Sequence, residues 1–181
     1  MDRARGAAPA LRRAGSVTQQ VYYARTAPTT TRTVSGKTLT VTYDCPAQLI
    51  CGVVYTLAVP RSAAVRVTAG AGSVRLTGLA GSVTAKADVG LINATGLTGA
   101  SVSLTTRVGG ISASFTAAPT AVRASANVGA ITVHVPGTTS YKVAADARVG
   151  KTTVSARQNA SSGHAITATT DVGAIVVAPS P

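Results

Sequence analysis

The sequence predicts an all-β protein, a single-stranded β-helix or β-solenoid of about six coils with an N-terminal β cap. One pattern occurs six times in residues 61–181: an aliphatic residue, a small or β-branched residue six positions later, and then a glycine. Successive repeats begin 18, 19, 20, 21 and 23 residues apart, and a period near 20 residues is typical of stacked solenoid repeats. The glycines that we expect at the coil corners are Gly72, Gly90, Gly109, Gly129, Gly150 and Gly173.

Each repeat has the alternation of a β-strand with one buried face. In the second repeat, apolar residues alternate with polar ones, and the positions expected to point inward are Val83, Ala85, Ala87 and Val89. The apolar set resumes after the glycine, at Ile92 and Ala94, with its parity reversed. Glycine permits the positive φ that such a corner needs. Each repeat is therefore predicted to be two short strands joined at a glycine corner.

The connection from one repeat to the next contains the length variation. It grows from 7 residues, between Leu76 and Val83, to 12 residues, between Val154 and Ile166. The spacing across the glycine corner stays constant. The sequence thus predicts one constant edge and one edge that widens toward the C-terminus.

The residues before the repeats divide into two regions. Residues 1–33 are polar and basic without sustained periodicity, and we expect them to form a flexible basic lead-in in which Val21-Tyr22-Tyr23 is a candidate strand. Residues 34–60 contain two alternating stretches, the second of which stops at Pro60. They carry the bulky side chains that the repeats lack, so we predict an N-terminal β cap at 34–60 and a β-solenoid repeat domain at 61–181.

The two cysteines, Cys45 and Cys51, lie within the predicted cap. In an oxidising compartment this spacing allows a disulfide that closes a small loop, whereas in a cytosolic chain two free thiols are expected. Residues 1–15 are basic and lack the apolar segment of a signal peptide. No stretch has the length and apolar character that predict a membrane span. Neither a signal peptide nor a transmembrane segment is therefore expected in this chain.

The charge balance is strongly basic. The chain has 17 Lys and Arg against five acidic residues, all Asp, for a net charge of +12. Such an excess favours anionic partners, and the predicted anion-binding surface consists of Arg66, Arg75, Lys86 and Arg123. In the alternative interpretation the scattered cations only solvate the surface. Specific nucleic-acid binding is not expected, because no aromatic residues interleave with these cations to stack on bases.

Catalysis is not expected either, and we predict no catalytic, cofactor-binding or metal-binding residues. Glycan cleavage on a β-helix needs a pair of carboxylates at a controlled separation, but the chain has no Glu, and its repeats contain three Asp in different coils. Two of these are expected to form a polar ladder with arginines of neighbouring coils: Asp88 beside Arg107, and Asp171 beside Arg148. We interpret this ladder as structural.

Three segments resemble a bacterial family. They are Cys51–Pro60 (CGVVYTLAVP), Val65–Leu79 (VRVTAGAGSVRLTGL) and Val128–Val143 (VGAITVHVPGTTSYKV). They are similar to the adhesin family of unknown function that is built from β-strand repeats, over about residues 34–181. The resemblance implies a right-handed β-solenoid in the cell envelope, extracytoplasmic or membrane-anchored, with no established catalytic residues. The cysteine pair also favours an extracytoplasmic location.

The function expected from the sequence is that of a non-enzymatic, adhesin-like envelope β-solenoid. It would present a basic surface to anionic polymers or to protein partners. The alternative is a structural or sensory module of a membrane-associated envelope-stress complex, which would contact a membrane protein partner.

Overall fold

The structure is a computed structural model that describes residues 2–7, 16–45 and 51–180. Every helix or strand found in these residues is a β-strand. The chain divides into two compact units, Met1–Pro60 and Arg61–Pro181. The division falls at Pro60, where the apolar alternation of the predicted cap also stops.

The first unit is antiparallel. Its described strands are β1 (Asp2–Ala7), β2 (Ser16–Tyr23), β3 (Thr29–Ser35), β4 (Thr38–Asp44) and β5 (Cys51–Ala58). They form a three-stranded sheet in the order β1-β2-β5 and a separate β3-β4 hairpin. The hairpin turns at Gly36, where φ is +58°, a backbone conformation that glycine adopts without steric cost.

The boundary placed at residue 33 does not correspond to a break in this unit. β3 crosses it, and β2, in the expected lead-in, pairs with β5 along its whole length. The polar side chains of this region bond to one another: Gln19 Nε2 donates to Thr30 Oγ1 (3.3 Å), and Arg32 Nη2 donates to Gln19 Oε1 (3.0 Å). β2 also has two buried valines, Val17 and Val21, but its sequence lacks the sustained alternation that would predict the whole strand.

The second unit is a β-solenoid with two parallel sheets of six strands. The first sheet contains the strand before each corner: β6 (Val65–Ala71), β8 (Val83–Val89), β10 (Ser101–Val108), β12 (Ala121–Val128), β14 (Lys142–Val149) and β16 (Ala165–Val172). The second sheet contains the strand after each corner: β7 (Val74–Thr77), β9 (Ile92–Leu97), β11 (Ile111–Phe115), β13 (Ile131–Val135), β15 (Thr152–Val154) and β17 (Ile175–Pro179). This confirms the predicted fold class and the two strands in each coil.

The coils do not stack in sequence order. In the first sheet the order is β14-β16-β12-β10-β8-β6, and in the second it is β15-β17-β13-β11-β9-β7. The sixth coil therefore lies between the fourth and the fifth. Val122 of the fourth coil is opposite Ile166 of the sixth, which is in turn opposite Val143 of the fifth.

This insertion explains why the last connections are the longest. After β13 the chain passes the level of one coil before it forms the fifth coil. After β15 it returns and forms the sixth coil at that level. Tyr141 anchors this crossover. It is completely buried, its hydroxyl donates to Pro136 O at 3.2 Å, and its ring meets the His164 ring edge-on at a centroid distance of 6.0 Å.

The core lies between the two sheets and is made mainly of small aliphatic side chains. Val83, Val102, Val122 and Ile166 form one completely buried row, and Ile92, Ile111, Ile131 and Ile175 form the facing row. Two threonines also lie in the core, and both are satisfied: Thr106 Oγ1 donates to Gly90 O (3.4 Å), and Thr170 Oγ1 donates to Gly129 O (3.1 Å).

The residue directly before each corner glycine points outward, and the prediction that Val89 is buried is wrong. The alternation ends at this residue: in the third coil Thr106 is buried, and Arg107 and Val108 are both exposed, because the chain starts to bend before the glycine. Five valines with exposed fractions of 43–59% occupy this position on successive strands. We call them the valine ridge: Val89, Val108, Val128, Val172 and Val149.

The six corner glycines form a continuous ladder, and all have positive φ, from +125° to +151°. A Cβ on Gly90 would overlap the carbonyl oxygen of Gly72, and the same overlap recurs along the stack up to Gly150 against Gly173. Glycine is thus required twice here, by the backbone conformation and by the close approach of neighbouring coils. The predicted glycine corners are confirmed.

Candidate functional site

Three of the four cations proposed as an anion-binding surface lie on the outer face of the first sheet. Arg66, Lys86 and Arg123 are exposed and alternate with inward residues that are buried in β8 and β12 and partly buried in β6. The strand register places Arg66 and Arg123 in one row across the sheet, and Lys86 in the adjacent row. The sheet therefore brings these three cations to one surface.

Arg75 does not belong to this surface. It lies on β7 of the second sheet, opposite Asn93 of β9, and is exposed. The two strands of a coil present their outer faces on different sides of the solenoid, so Arg75 is separated from the other three cations. The candidate surface is reduced to Arg66, Lys86 and Arg123.

Hydroxyl side chains occupy most of the positions between and beside these cations. The row of Arg66 and Arg123 also contains Thr84, Ser103 and Thr167, and the row of Lys86 also contains Thr68, Thr105, Ser125 and Thr169. Thr169 Oγ1 donates to Ser125 Oγ at 3.2 Å. Guanidinium, ammonium and hydroxyl groups are donors that suit phosphate, sulfate or carboxylate oxygens.

The character of this face changes along the stack. In the fifth coil, at the end of the sheet, the two rows end at Ala144 and Asp146 of β14. A shallow groove here is lined by Asp146, Arg148 and Asp171 among hydroxyl and amide side chains. The basic part of the face is therefore confined to the first four coils.

Beside this face runs a row of residues that immediately precede the valine ridge. We call it the charged row, and in spatial order it reads Asp88, Arg107, Asn127, Asp171 and Arg148. Arg148 Nε lies 3.6 Å from Asp171 Oδ1, with the two side chains 79% and 51% exposed, which confirms this step of the predicted ladder. At such exposure the pair contributes about 0.2–1 kcal/mol.

The other predicted step has the expected register but no close contact. Asp88 and Arg107 lie between the paired residues Ala87/Thr106 and Val89/Val108. Between described residues, the Arg148–Asp171 pair is the one ion pair within 4.0 Å.

The histidines and carboxylates do not converge. Within the described residues no group of three His, Cys, Asp or Glu side chains could hold a metal ion. His164 Nδ1 lies 2.8 Å from Pro119 O, and His134 Nδ1 lies 3.4 Å from Pro179 O. Both rings thus contact backbone carbonyls of neighbouring coils.

Sequence reasoning missed Tyr141 as an anchor, although it is the bulkiest side chain in a connection made of small and polar residues. Burial raises the pKa of its phenol, and a hydrogen bond with the Thr139 side chain acts in the opposite direction. In the first unit, burial likewise raises the pKa of Tyr55, an effect that the positive charge of Arg32 partly offsets.

Cys45 and Cys51 form a disulfide across a sequence separation of 6 residues. Of the two states that the sequence left open, the structure has the oxidised one, which is compatible with an extracytoplasmic location. Residues 46–50 of the closed loop lie outside the described residues. Among the described residues, no helix is long and apolar enough to cross a membrane.

Comparisons with known proteins give no relative: no family model, no curated protein and no solved structure matches the chain. The resemblance to the bacterial adhesin family stays a prediction from the sequence.

Proposed function

We propose that the protein is a non-enzymatic binding scaffold of the cell envelope that holds an anionic polymer on the outer face of its first sheet. The observation that carries this proposal is the placement of Arg66, Lys86 and Arg123 on one exposed face. Hydroxyl side chains fill most of the positions between them. A parallel sheet holds such groups at fixed spacing, so little backbone conformational entropy is lost when a ligand binds.

The geometry favours an extended ligand. Arg66 and Arg123 are three strand intervals apart, about 14 Å at about 4.8 Å for each interval. Lys86 lies between them in the adjacent row. A chain of phosphate or sulfate groups can contact all three cations at once, whereas a single small anion reaches only one.

Long-range attraction acts in the same direction. The net charge of +12 raises the local concentration of polyanions near the protein. The negative charges of Asp146 and Asp171 repel polyanions at the far end of the face, so the bound polymer lies over the first four coils. Because these charges are exposed, binding weakens as salt rises and the screening length falls below about 8 Å.

The disulfide between Cys45 and Cys51 supports a location outside the cytoplasm. Disulfides persist in oxidising compartments and are rare in the cytosol of most organisms. A disulfide together with a polyanion-binding face fits a protein that works outside the cytoplasm, where acidic envelope polymers are abundant.

The test compares two triple variants that remove the same charge, with long-chain polyphosphate as the probe. One variant removes the cations of the candidate face: Arg66→Ala, Lys86→Ala and Arg123→Ala. The control removes exposed cations from other places: Arg75→Ala, Lys151→Ala and Arg157→Ala. Binding is followed by fluorescence anisotropy at low and at high salt.

We expect the face variant to weaken binding about tenfold, since it loses three exposed charge contacts. The control should change binding only slightly, through the lower net charge. Equal losses in the two variants would show that net charge alone acts. Absence of binding to the unmodified protein at low salt would refute the proposal.

A further inference from the structure

The valine ridge is an exposed apolar surface that neither the core nor the basic face explains. Its five members lie on five neighbouring strands in direct register, from Val89 through Val128 to Val149. At about 4.8 Å for each strand, the ridge is about 19 Å long. Leu91, 57% exposed, adds to its apolar surface on the other side of the corner. Contiguous exposed apolar surfaces on soluble domains mark interaction sites.

The charged row beside the ridge indicates what covers it. In spatial order its charges are negative at Asp88, positive at Arg107, neutral at Asn127, negative at Asp171 and positive at Arg148. When this order is reversed, every charge is replaced by its opposite. A second copy that runs antiparallel, with a two-fold axis at Asn127, thus sets Asp88 against Arg148 of the second copy, and Arg107 against Asp171 of the second copy.

Other alignments lack this match. A parallel copy in register places every charge against the same charge. A shift of one coil from the antiparallel register sets Asp88 against Asp171 in one direction and Arg107 against Arg148 in the other. Like charges at close range disfavour these alternatives, so the row selects one register.

The match depends on the inserted coil. In sequence order, Arg148 would precede Asp171, and the row would read negative, positive, neutral, positive and negative. The reversal of that order pairs like charges throughout. The insertion of the sixth coil before the fifth therefore produces the self-complementary surface.

We propose that the protein forms a two-fold symmetric, antiparallel homodimer through the valine ridge and the charged row. Such isologous contacts are the commonest way in which identical chains associate. The short ridge places the interface in the small class, below about 1,200 Å², and we expect a dissociation constant in the micromolar range. This dimer goes beyond the polyanion proposal, and neither inference depends on the other.

The first test breaks the centre of the ridge. Analytical ultracentrifugation of the full chain with its disulfide intact measures the dimer dissociation constant. Val128 is next to the proposed axis, so Val128→Lys brings two ammonium groups together in the dimer. We expect it to weaken association at least about tenfold. The matched control is Val54→Lys, because Val54 is a similarly exposed valine, 52% against 47% for Val128, on β5 of the first unit.

The second test addresses the register by charge exchange. Asp88→Lys alone sets a lysine against Arg148 of the second copy, and Arg148→Asp alone sets two aspartates together, so each weakens the dimer. The double variant restores opposite charges at all four charged positions of the row. We expect its dissociation constant to return to within about threefold of the unmodified value.

A chain that stays monomeric up to millimolar concentration would overturn the proposal. So would a dimer that Val128→Lys leaves intact, or one that Val54→Lys weakens equally. A dimer that Val128→Lys breaks but that the double charge exchange does not restore would overturn the antiparallel register. Circular dichroism and the thermal midpoint verify that each variant is folded before its association is measured.

Discussion

Replacing Gly129 by alanine tests whether the glycine ladder sets the distance between coils. Gly129 has φ of +149°, and an added Cβ would overlap the carbonyl oxygen of Gly109 in the neighbouring coil. Gly72 is the matched control. Its φ is +125°, but a Cβ placed there would have no atom within 4 Å. The two substitutions share the backbone strain and differ in the overlap with the next coil.

The expected magnitudes follow from these two contributions. An alanine held at such a φ costs about 1–3 kcal/mol, and this applies to both variants. At Gly129 the corner must also move away from the third coil. That movement weakens the hydrogen bonds from Gly109 N–H to Val128 O (2.8 Å) and from Ile111 N–H to Ala130 O (2.9 Å), each of which contributes about 0.5–1.5 kcal/mol. We expect a loss of about 4 kcal/mol for Gly129→Ala and about 2 kcal/mol for Gly72→Ala.

Urea unfolding followed by circular dichroism gives both free energies, and hydrogen exchange locates the change within the solenoid. Equal destabilisation by the two substitutions would refute the reasoning, because only Gly129 faces a neighbouring carbonyl. A loss of hydrogen-exchange protection outside the fourth coil and its two neighbours in the stack, the third and sixth coils, for Gly129→Ala would also contradict it.

Three further predictions concern the crossover and the disulfide. Deletion of residues 161–181 removes β16 and β17, which among the described strands are the only sheet neighbours of β14 and β15, so hydrogen exchange should show that residues 142–154 lose protection although they are still present. Burial raises the pKa of Tyr141 above 10.0 in the folded state. The buried neutral phenol therefore makes its full contribution to stability below pH 10, and this contribution is lost as the pH rises through the folded-state pKa. Tyr141→Phe should therefore flatten the fall of solenoid stability above pH 10 in denaturant titrations, and at neutral pH it should cost about 1 kcal/mol through the lost bond to Pro136. Replacing both Cys45 and Cys51 by serine should cost the first unit about 2 kcal/mol, the value for a loop this short, and a reducing agent should destabilise the unmodified chain but not the variant in thermal unfolding.

The sequence predicts the coil and its corner because both depend on local patterns. Gly90 and its equivalents are visible as a period, and the alternation from Val83 to Ala87 reports one buried face. The exposure of Val89 is not predictable from alternation, because the chain starts to bend before the glycine and turns Val89 outward. The order of the coils is not predictable either, because Ile166 and Val143 are both β-branched aliphatic residues, and the repeat pattern does not distinguish which of them lies opposite Val122. The lengthening connections are the one local sign of the crossover.

The candidate surface was predictable in part, because the side of the corner on which a residue lies determines the sheet to which it belongs. Arg66, Lys86 and Arg123 precede the corners of their coils, and Arg75 follows one, so the sequence already contains the information that separates them into different sheets. The self-complementarity of the charged row requires the spatial order of Asp171 and Arg148, which the topology alone provides.

The inserted coil also changes how this solenoid can be built and extended. An ordinary solenoid grows at its end, and each new coil adds to a finished one as the chain emerges. Here the fifth coil is synthesised before the coil on which it stacks, so it gains its sheet partners only once the sixth coil has formed. A coil added after the sixth would therefore need a connection that crosses the fifth coil to reach β14 and β15, the terminal strands of the two sheets.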